Sequence, residues 1–211
     1  MTASDSTTLW AGASAHVLDD FTGKLPIARV DVALDVQDGA SWRAVGASAV
    51  ATPMGTYTFP GLEKYGDASG RSPRRYRLRV RADGYAPAYL FNSDAVEIDV
   101  SPYDEDLAPN PLPAMPTIIA LFPTAAYPYG AEVPLLHGTV VDAAGTPVPY
   151  ALVECLTERV LTDPGGAFTL PMRKSPAGQA LIDASDRAGR TGTIPVTVPQ
   201  GLGHRKTITI A

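Results

Sequence analysis

Val140-Val141-Asp142-Ala143-Ala144-Gly145-Thr146-Pro147-Val148-Pro149-Tyr150-Ala151-Leu152-Val153 reads as a strand, an aspartate, a glycine turn, a proline and a second strand. The same order stands earlier in the chain, in Val17-Leu18-Asp19-Asp20-Phe21-Thr22-Gly23-Lys24-Leu25-Pro26-Ile27-Ala28-Arg29-Val30. Farther along, Gly55-Thr56-Tyr57-Thr58-Phe59-Pro60 is answered by Gly166-Ala167-Phe168-Thr169-Leu170-Pro171, again a glycine turn feeding a short alternating strand. Glycine supplies the positive φ that hairpin turns need, and proline suits edges and turns because it cannot donate to a ladder. Two copies of one β-domain account for this repeat.

Outward from the repeat, period-two alternation dominates. Val30, Val32, Leu34 and Val36 alternate with Asp31, Ala33, Asp35 and Gln37. Tyr76, Leu78, Val80 and Ala82 alternate with Arg75, Arg77, Arg79 and Arg81, and Val96, Ile98 and Val100 with Glu97, Asp99 and Ser101. Each is a strand with one face in a core and one in water. No stretch of helical period with caps stands out, so the expected fold is all-β: two tandem Greek-key β-sandwiches. The 211 residues divide into a tail at 1–9, a first sandwich at 10–123, a linker at 124–134 and a second sandwich at 135–211. The proline-rich stretch 101–113 is expected to be a long loop of the first sandwich.

Hydrophobic residues make up 45% of the chain and charged residues 18%, enough apolar material for real cores. The 20 prolines and 19 glycines are spread among apolar runs, which suits short strands and tight turns. A net charge of −5 gives no electrostatic argument for nucleic acid. Cys155, the one cysteine, excludes an intrachain disulfide and reads as a small buried hydrophobe. The N-terminus is polar, without the basic and apolar regions of a signal peptide, and no apolar run reaches the roughly 20 residues of a membrane span. These features predict cytoplasmic synthesis without a membrane span, with later exposure as part of a virion or extracellular particle left open.

At the repeated element the chain resembles the carboxypeptidase regulatory-like domains, members of the transthyretin-like (prealbumin-like) group of seven-stranded, Ig-like β-sandwiches. The second copy carries the better match, in Gly138-Thr139-Val140-Val141-Asp142, Gly145-Thr146-Pro147-Val148-Pro149, Thr162-Asp163 and Gly166-Ala167-Phe168. The first copy adds Ala82-Asp83-Gly84-Tyr85, a phrase common in such domains. These are turn and core residues, so the resemblance speaks to fold more than to function. Two enzyme families share this kind of sandwich. Ala15-His16-Val17-Leu18-Asp19 resembles the first element of hydroxyisourate hydrolases, but the chain has no His-x-His and no Tyr-Arg-Gly-Ser, leaving His16 without partners. Intradiol dioxygenases need two tyrosines and two closely spaced histidines around iron, whereas His16, His137 and His204 are scattered singly. No catalytic residue, metal ligand or cofactor site is assigned.

The densest charged feature is Arg71, Arg74, Arg75, Arg77, Arg79 and Arg81, of which Arg75, Arg77, Arg79 and Arg81 share one face of one strand. That row is either an anion- or partner-binding stripe or a solvated face paired with Asp31, Asp35, Glu97 and Asp99 on neighbouring strands. Asp104-Glu105-Asp106 lacks the spacing of a calcium loop and reads as an acidic turn. Asp183, Asp186, Arg187 and Arg190 read as solubilising charges of a polar turn. Trp10, Trp42, Tyr57, Tyr76, Tyr85 and Tyr89 could form a sugar platform, but several fall on inward phases and point to core packing. The chain is therefore expected to be a structural or protein-interaction module, a subunit of a larger assembly such as a phage or phage-tail-like contractile particle. A glycan- or surface-binding module and a degenerate transthyretin-like hydrolase are the alternatives.

Overall fold

The aspartate-led glycine turns place the strands, as a computed structural model shows for residues 11–63, 72–103, 115–174 and 177–211. In the turn at Asp142, the carboxylate Oδ1 accepts the backbone N–H of Ala144 and of Thr146, both at 2.9 Å. Gly145, at φ 80°, closes the turn through its N–H to the Asp142 carbonyl. The device recurs at Asp163, whose Oδ1 accepts from Gly165 and Ala167, and at Asp186, whose Oδ1 accepts from Ala188 and Arg190. Asp19 heads a turn one residue longer, with Phe21 donating to Oδ1 and Gly23 to the carbonyl. A short side chain that accepts backbone N–H groups, followed by a residue free to take positive φ, is what closes these turns.

Between the turns lie sixteen strands among the described residues. They are β1 (Ala11–Asp19), β2 (Val30–Asp38), β3 (Ser41–Ala44), β4 (Val50–Ala51), β5 (Thr56–Pro60), β6 (Arg74–Ala82), β7 (Tyr85–Pro87), β8 (Val96–Val100) and β9 (Thr117–Pro123), then β10 (Leu135–Asp142), β11 (Leu152–Cys155), β12 (Glu158–Leu161), β13 (Ala167–Pro171), β14 (Gly178–Ser185), β15 (Thr191–Val198) and β16 (Lys206–Ile210). Two single-turn 3-10 segments, Ala88–Phe91 and Gln200–Gly203, are the helical content of the described residues. The strands form four sheets, ordered β4-β5-β1-β9-β7, β3-β2-β6-β8, β13-β10-β16 and β12-β11-β14-β15. The architecture is an all-β sandwich fold. The span 135–211 holds seven of these strands and the span before it nine, the extra ones being short edge pieces such as β4 and β7.

Two compact units interleave along the chain. One comprises Met1–Val17, Val32–Val80 and Ala95–Ile119, the other Leu18–Asp31, Arg81–Asp94 and Ala120–Ala211. In the first, Ala13, Ala15, Phe59 and Ile119 from one sheet and Leu34, Val36, Tyr76, Leu78 and Val100 from the other are buried. Small residues on β1 let the sheets approach: a Cβ on Gly12 would stand 2.7 Å from a Val100 methyl. In the second unit the core is Val140, Val153, Val160, Phe168, Leu170, Ile182, Val196, Ile208 and Ile210, joined by Cys155. Its last strand, β16, pairs in parallel with β10, from Gly138↔Lys206 to Asp142↔Ile210. Gly138 permits that approach, because a Cβ there would stand 2.5 Å from the Lys206 carbonyl and from the Phe168 ring. Leu34, Val36, Tyr76, Leu78, Val80 and Val100 all sit on buried phases, as the alternation predicts.

Candidate functional site

Strand β6 carries the arginine row of the first unit, with Tyr76, Leu78 and Val80 on its buried phase. Arg77 Nε donates to Asp35 Oδ2 at 2.7 Å, and Arg79 Nε and Nη2 donate to Oδ2 and Oδ1, both at 2.8 Å. Asp35 is 2% exposed, although its phase on β2 is the outward one. The two long arginine stems lie over it and take it out of water. Hydrogen bonds from Arg79 hold its carboxyl below the usual carboxylate range; burial opposes this, and Arg77 adds to it. Arg77 also stacks its guanidinium 4.9 Å from the Trp42 ring centre. Arg75 lies between Glu97 at 3.3 Å and Asp99 at 3.8 Å. Asp31, expected to join this ladder, pairs with Arg29 instead. Arg74, at the strand's start, reaches Glu63, which also accepts the Tyr76 hydroxyl. Arg81 is exposed at the strand's end, in the second unit.

The second unit buries another carboxylate. Asp19 is fully buried, and its Oδ2 accepts hydroxyls from Thr22 at 2.9 Å, Tyr127 at 3.0 Å and Tyr85 at 3.2 Å. Tyr85 in turn accepts the Ile27 N–H. Phe21 packs edge-on against Tyr127 and Tyr129, with ring centres 5.5 and 5.0 Å apart, and the two tyrosines tilt against each other at 4.5 Å. Burial, reinforced by the Asp19 charge, pushes the Tyr127 phenol well above its ordinary range; Tyr85 and Tyr129 are pushed up first by burial as well. Arg173 stacks 3.7 Å from the Phe21 ring centre while its fork grips buried Glu158, Nε to Oε1 at 3.1 Å and Nη2 to Oε2 at 3.0 Å. Arg159 forms a second fork onto Asp20, at 3.0 and 2.8 Å. Asp186 is buried too, and its Oδ2 accepts Arg190 Nε at 2.8 Å.

Other candidates fall into place singly. His16 Nδ1 lies 3.2 Å from Thr56 Oγ1 and His137 Nδ1 3.0 Å from Thr169 Oγ1, each across its own strand pair, while His204 is exposed beyond the second 3-10 segment. Among the described residues no cluster of His, Cys, Asp or Glu has metal-binding geometry. Tyr76 and Tyr85 are buried, and Trp42, Tyr57 and Tyr89 half-buried. Trp10, Arg71 and Asp104-Glu105-Asp106 lie outside the described residues. No described helix is long and apolar enough to cross a membrane. The sequence reading missed Tyr127, Tyr129 and Glu158. The density of tyrosine in Tyr127-Pro128-Tyr129, read as linker, was the available signal.

One pocket in the second unit has a volume of about 310 Å³. It is lined by Leu90, Phe91, Val148, Pro149, Tyr150 and Ala188 together with the charged Asp186, Arg187 and Arg190. Arg190 is held by Asp186, and Arg187 by exposed Asp94 at 3.0 Å.

No known family's sequence profile matches the chain, and no curated protein matches it in sequence. Among solved structures, the Bacillus anthracis TIE protein is similar over 97% of this chain and 34% of that one, at 12% identity and a TM-score of 0.32. The chain thus spans about a third of that protein's length. One variant of the shaft pilin spaA from Lactobacillus rhamnosus GG is similar over 97% of this chain and 98% of its own, at 10% identity and a TM-score of 0.30. A second variant is similar over 98% of this chain and 92% of its own, at 11% identity and a TM-score of 0.31.

Proposed function

We propose that this chain is a non-enzymatic structural module that works by packing against other protein subunits. The observation that supports this reading is how its buried carboxylates are used. Asp19, Asp35, Glu158 and Asp186 are the buried acids among the described residues, and the chain's own donors occupy both oxygens of each. A general acid or base needs a lone pair or proton aimed at a reactant. Asp19, Asp35 and Glu158 are instead rivets, each fixing two or more segments, and Asp186 closes its own turn. Units whose buried acids are turned inward onto the chain's own donors suit a load-bearing or docking part.

Within this reading, the arginine row Arg75, Arg77, Arg79 and Arg81 faces acidic groups of a partner through Arg81 and through Arg75, which gives up its exposed pairs with Glu97 and Asp99, while Arg77 and Arg79 stay on Asp35. The second half, 135–211, is of carboxypeptidase regulatory-like descent, a view supported by its Asp142 and Asp163 turns and seven strands. The assembly is of the contractile-particle kind, which adjoining sheath, tube and baseplate genes would support. Size-exclusion chromatography of an extract from the native source, followed with an antibody, tests the main reading. The chain is expected well above the position of its own 22.1 kDa, with Arg75→Glu/Arg81→Glu returning a share of it to that position. Elution of the wild-type chain as a lone 22.1 kDa species overturns the reading.

A further inference from the structure

Tandem domains move against each other by default unless a large apolar contact joins them. Here the seam between the two sequence halves, 10–123 and 135–211, falls inside the second compact unit, which gathers Leu18–Asp31 and Arg81–Asp94 of the first half with Ala120–Ala211. Register shows what is covered there. Val153 and Val160 pair on the face of β11 and β12 that builds the second core. Their neighbours Leu152 and Leu161 therefore pair on the opposite face, which a lone sandwich would turn to water. Leu161 is nonetheless fully buried. Ala86 of β7 and Phe122 of β9, themselves register partners, pack on it, with Ala88, Leu90 and Phe91 around them.

We propose that this seam is a locked joint, and that 124–134 is a strap tied down at both ends rather than a hinge. Three arginines of the second half fasten the rim of the seam to the first half. Arg159 forks onto Asp20 and lays its guanidinium 4.8 Å from the Phe122 ring centre. Arg173 donates to the Phe21 carbonyl at 3.2 Å, and Arg187 pairs with Asp94 at 3.0 Å. The strap is bonded to both halves as it crosses. On the first, the Thr124 N–H donates to the Gly84 carbonyl and the Tyr127 hydroxyl to buried Asp19, both at 3.0 Å. On the second, the Tyr129 hydroxyl donates to the Thr169 carbonyl at 3.1 Å, and the Pro134 carbonyl accepts the Met172 N–H at 2.8 Å. Bending at 124–134 would return Leu152, Leu161 and Phe122 to water and break the arginine contacts together. The second half is thus no separate bead on a tether, and a pull across 124–134 is borne by the joint.

This inference rests on the reading of the chain as a structural module and says how such a module carries load. Thiol labelling of the full chain tests it, with buried Cys155 as a built-in reporter of the second core. Leu161→Cys places a thiol in the seam, and Leu181→Cys places one at a position 60% exposed in the same half. A locked joint admits reagent to position 161 only when it opens, so labelling there should be at least about 100-fold slower than at position 181. Adding Arg159→Gln, which removes the fork on Asp20, should speed labelling at 161 about 5- to 10-fold and leave Cys155 as slow as before. Labelling at 161 as prompt as at 181 while Cys155 stays protected overturns the proposal, and so does an Arg159→Gln background that leaves the rate at 161 unchanged. Should Cys155 itself label at once in Leu161→Cys, the second half has unfolded, and Leu152→Cys, half-buried in the same seam, decides by the same comparison. The assembly reading survives a hinged seam if the chain still elutes from native extract well above its own mass.

Discussion

Asp35 shows how one residue ties two strands. It sits buried between Arg77 and Arg79, so loss of the carboxylate strands two guanidinium groups over a buried amide. Asp35→Asn is expected to cost about 2 kcal/mol in urea denaturation, the scale of a charged hydrogen bond lost at a buried site. The same residue sets an acid limit. Its carboxyl titrates below the ordinary value in the fold, so its contribution is present above about pH 4, the unfolded range. It is lost as pH falls through the lower folded value. Below about pH 4, the stability of Asp35→Asn should therefore fall less steeply with falling pH than that of wild type, as urea denaturation at stepped pH would show. Asp19 predicts coupling. Tyr127→Phe should cost about 1 kcal/mol alone and distinctly less in an Asp19→Asn background, since the hydroxyl then has lost its charged acceptor. Neither burial was legible in the sequence. Alternation assigns Asp35 to the outward face correctly, but it cannot see long side chains from the next strand folding over that face. Asp19 was legible as a turn residue, yet its tyrosines come from segments 66 and 108 positions away.

The Asp-x-x-Gly turn is where sequence and structure agree most closely. Asp142 with Gly145 and Asp163 with Gly166 close as their spacing implies, because the carboxylate and its two backbone donors are local. Asp186 with Gly189 is the same device, and its spacing was equally readable. Its charge drew the reading toward solvation instead, and the structure buries it beneath Arg190. Two glycines of one turn type separate backbone freedom from packing. Gly145 has open space about its Cα, so Gly145→Ala should cost about 1 kcal/mol, the left-handed penalty alone. A Cβ on Gly166 would meet the Val140 carbonyl at 2.8 Å, so Gly166→Ala should cost about 2–3 kcal/mol by thermal melting, strain being added to the same penalty. Equal costs at the two positions would show that the carbonyl yields.

At the scale of the whole molecule, Tyr76, Tyr85, Tyr127 and Tyr129 among the described residues are held above their ordinary ionisation range, each first by burial. A phenol raised in the fold stabilises fully below its unfolded value of about 10 and progressively less as pH climbs toward the folded one. Stability should therefore fall above about pH 10, and tyrosinate absorbance from these four should appear together with unfolding. The parallel pairing of β16 with β10 has a different consequence, one of timing. During synthesis β10 leaves the ribosome long before Lys206 is added, and until then the edge meant for β16 and the space meant for Ile208 and Ile210 stand open. A translating ribosome stalled short of Lys206 would thus present an unfinished sheet, sticky along one flank, to whatever chaperone or sister chain reaches it first.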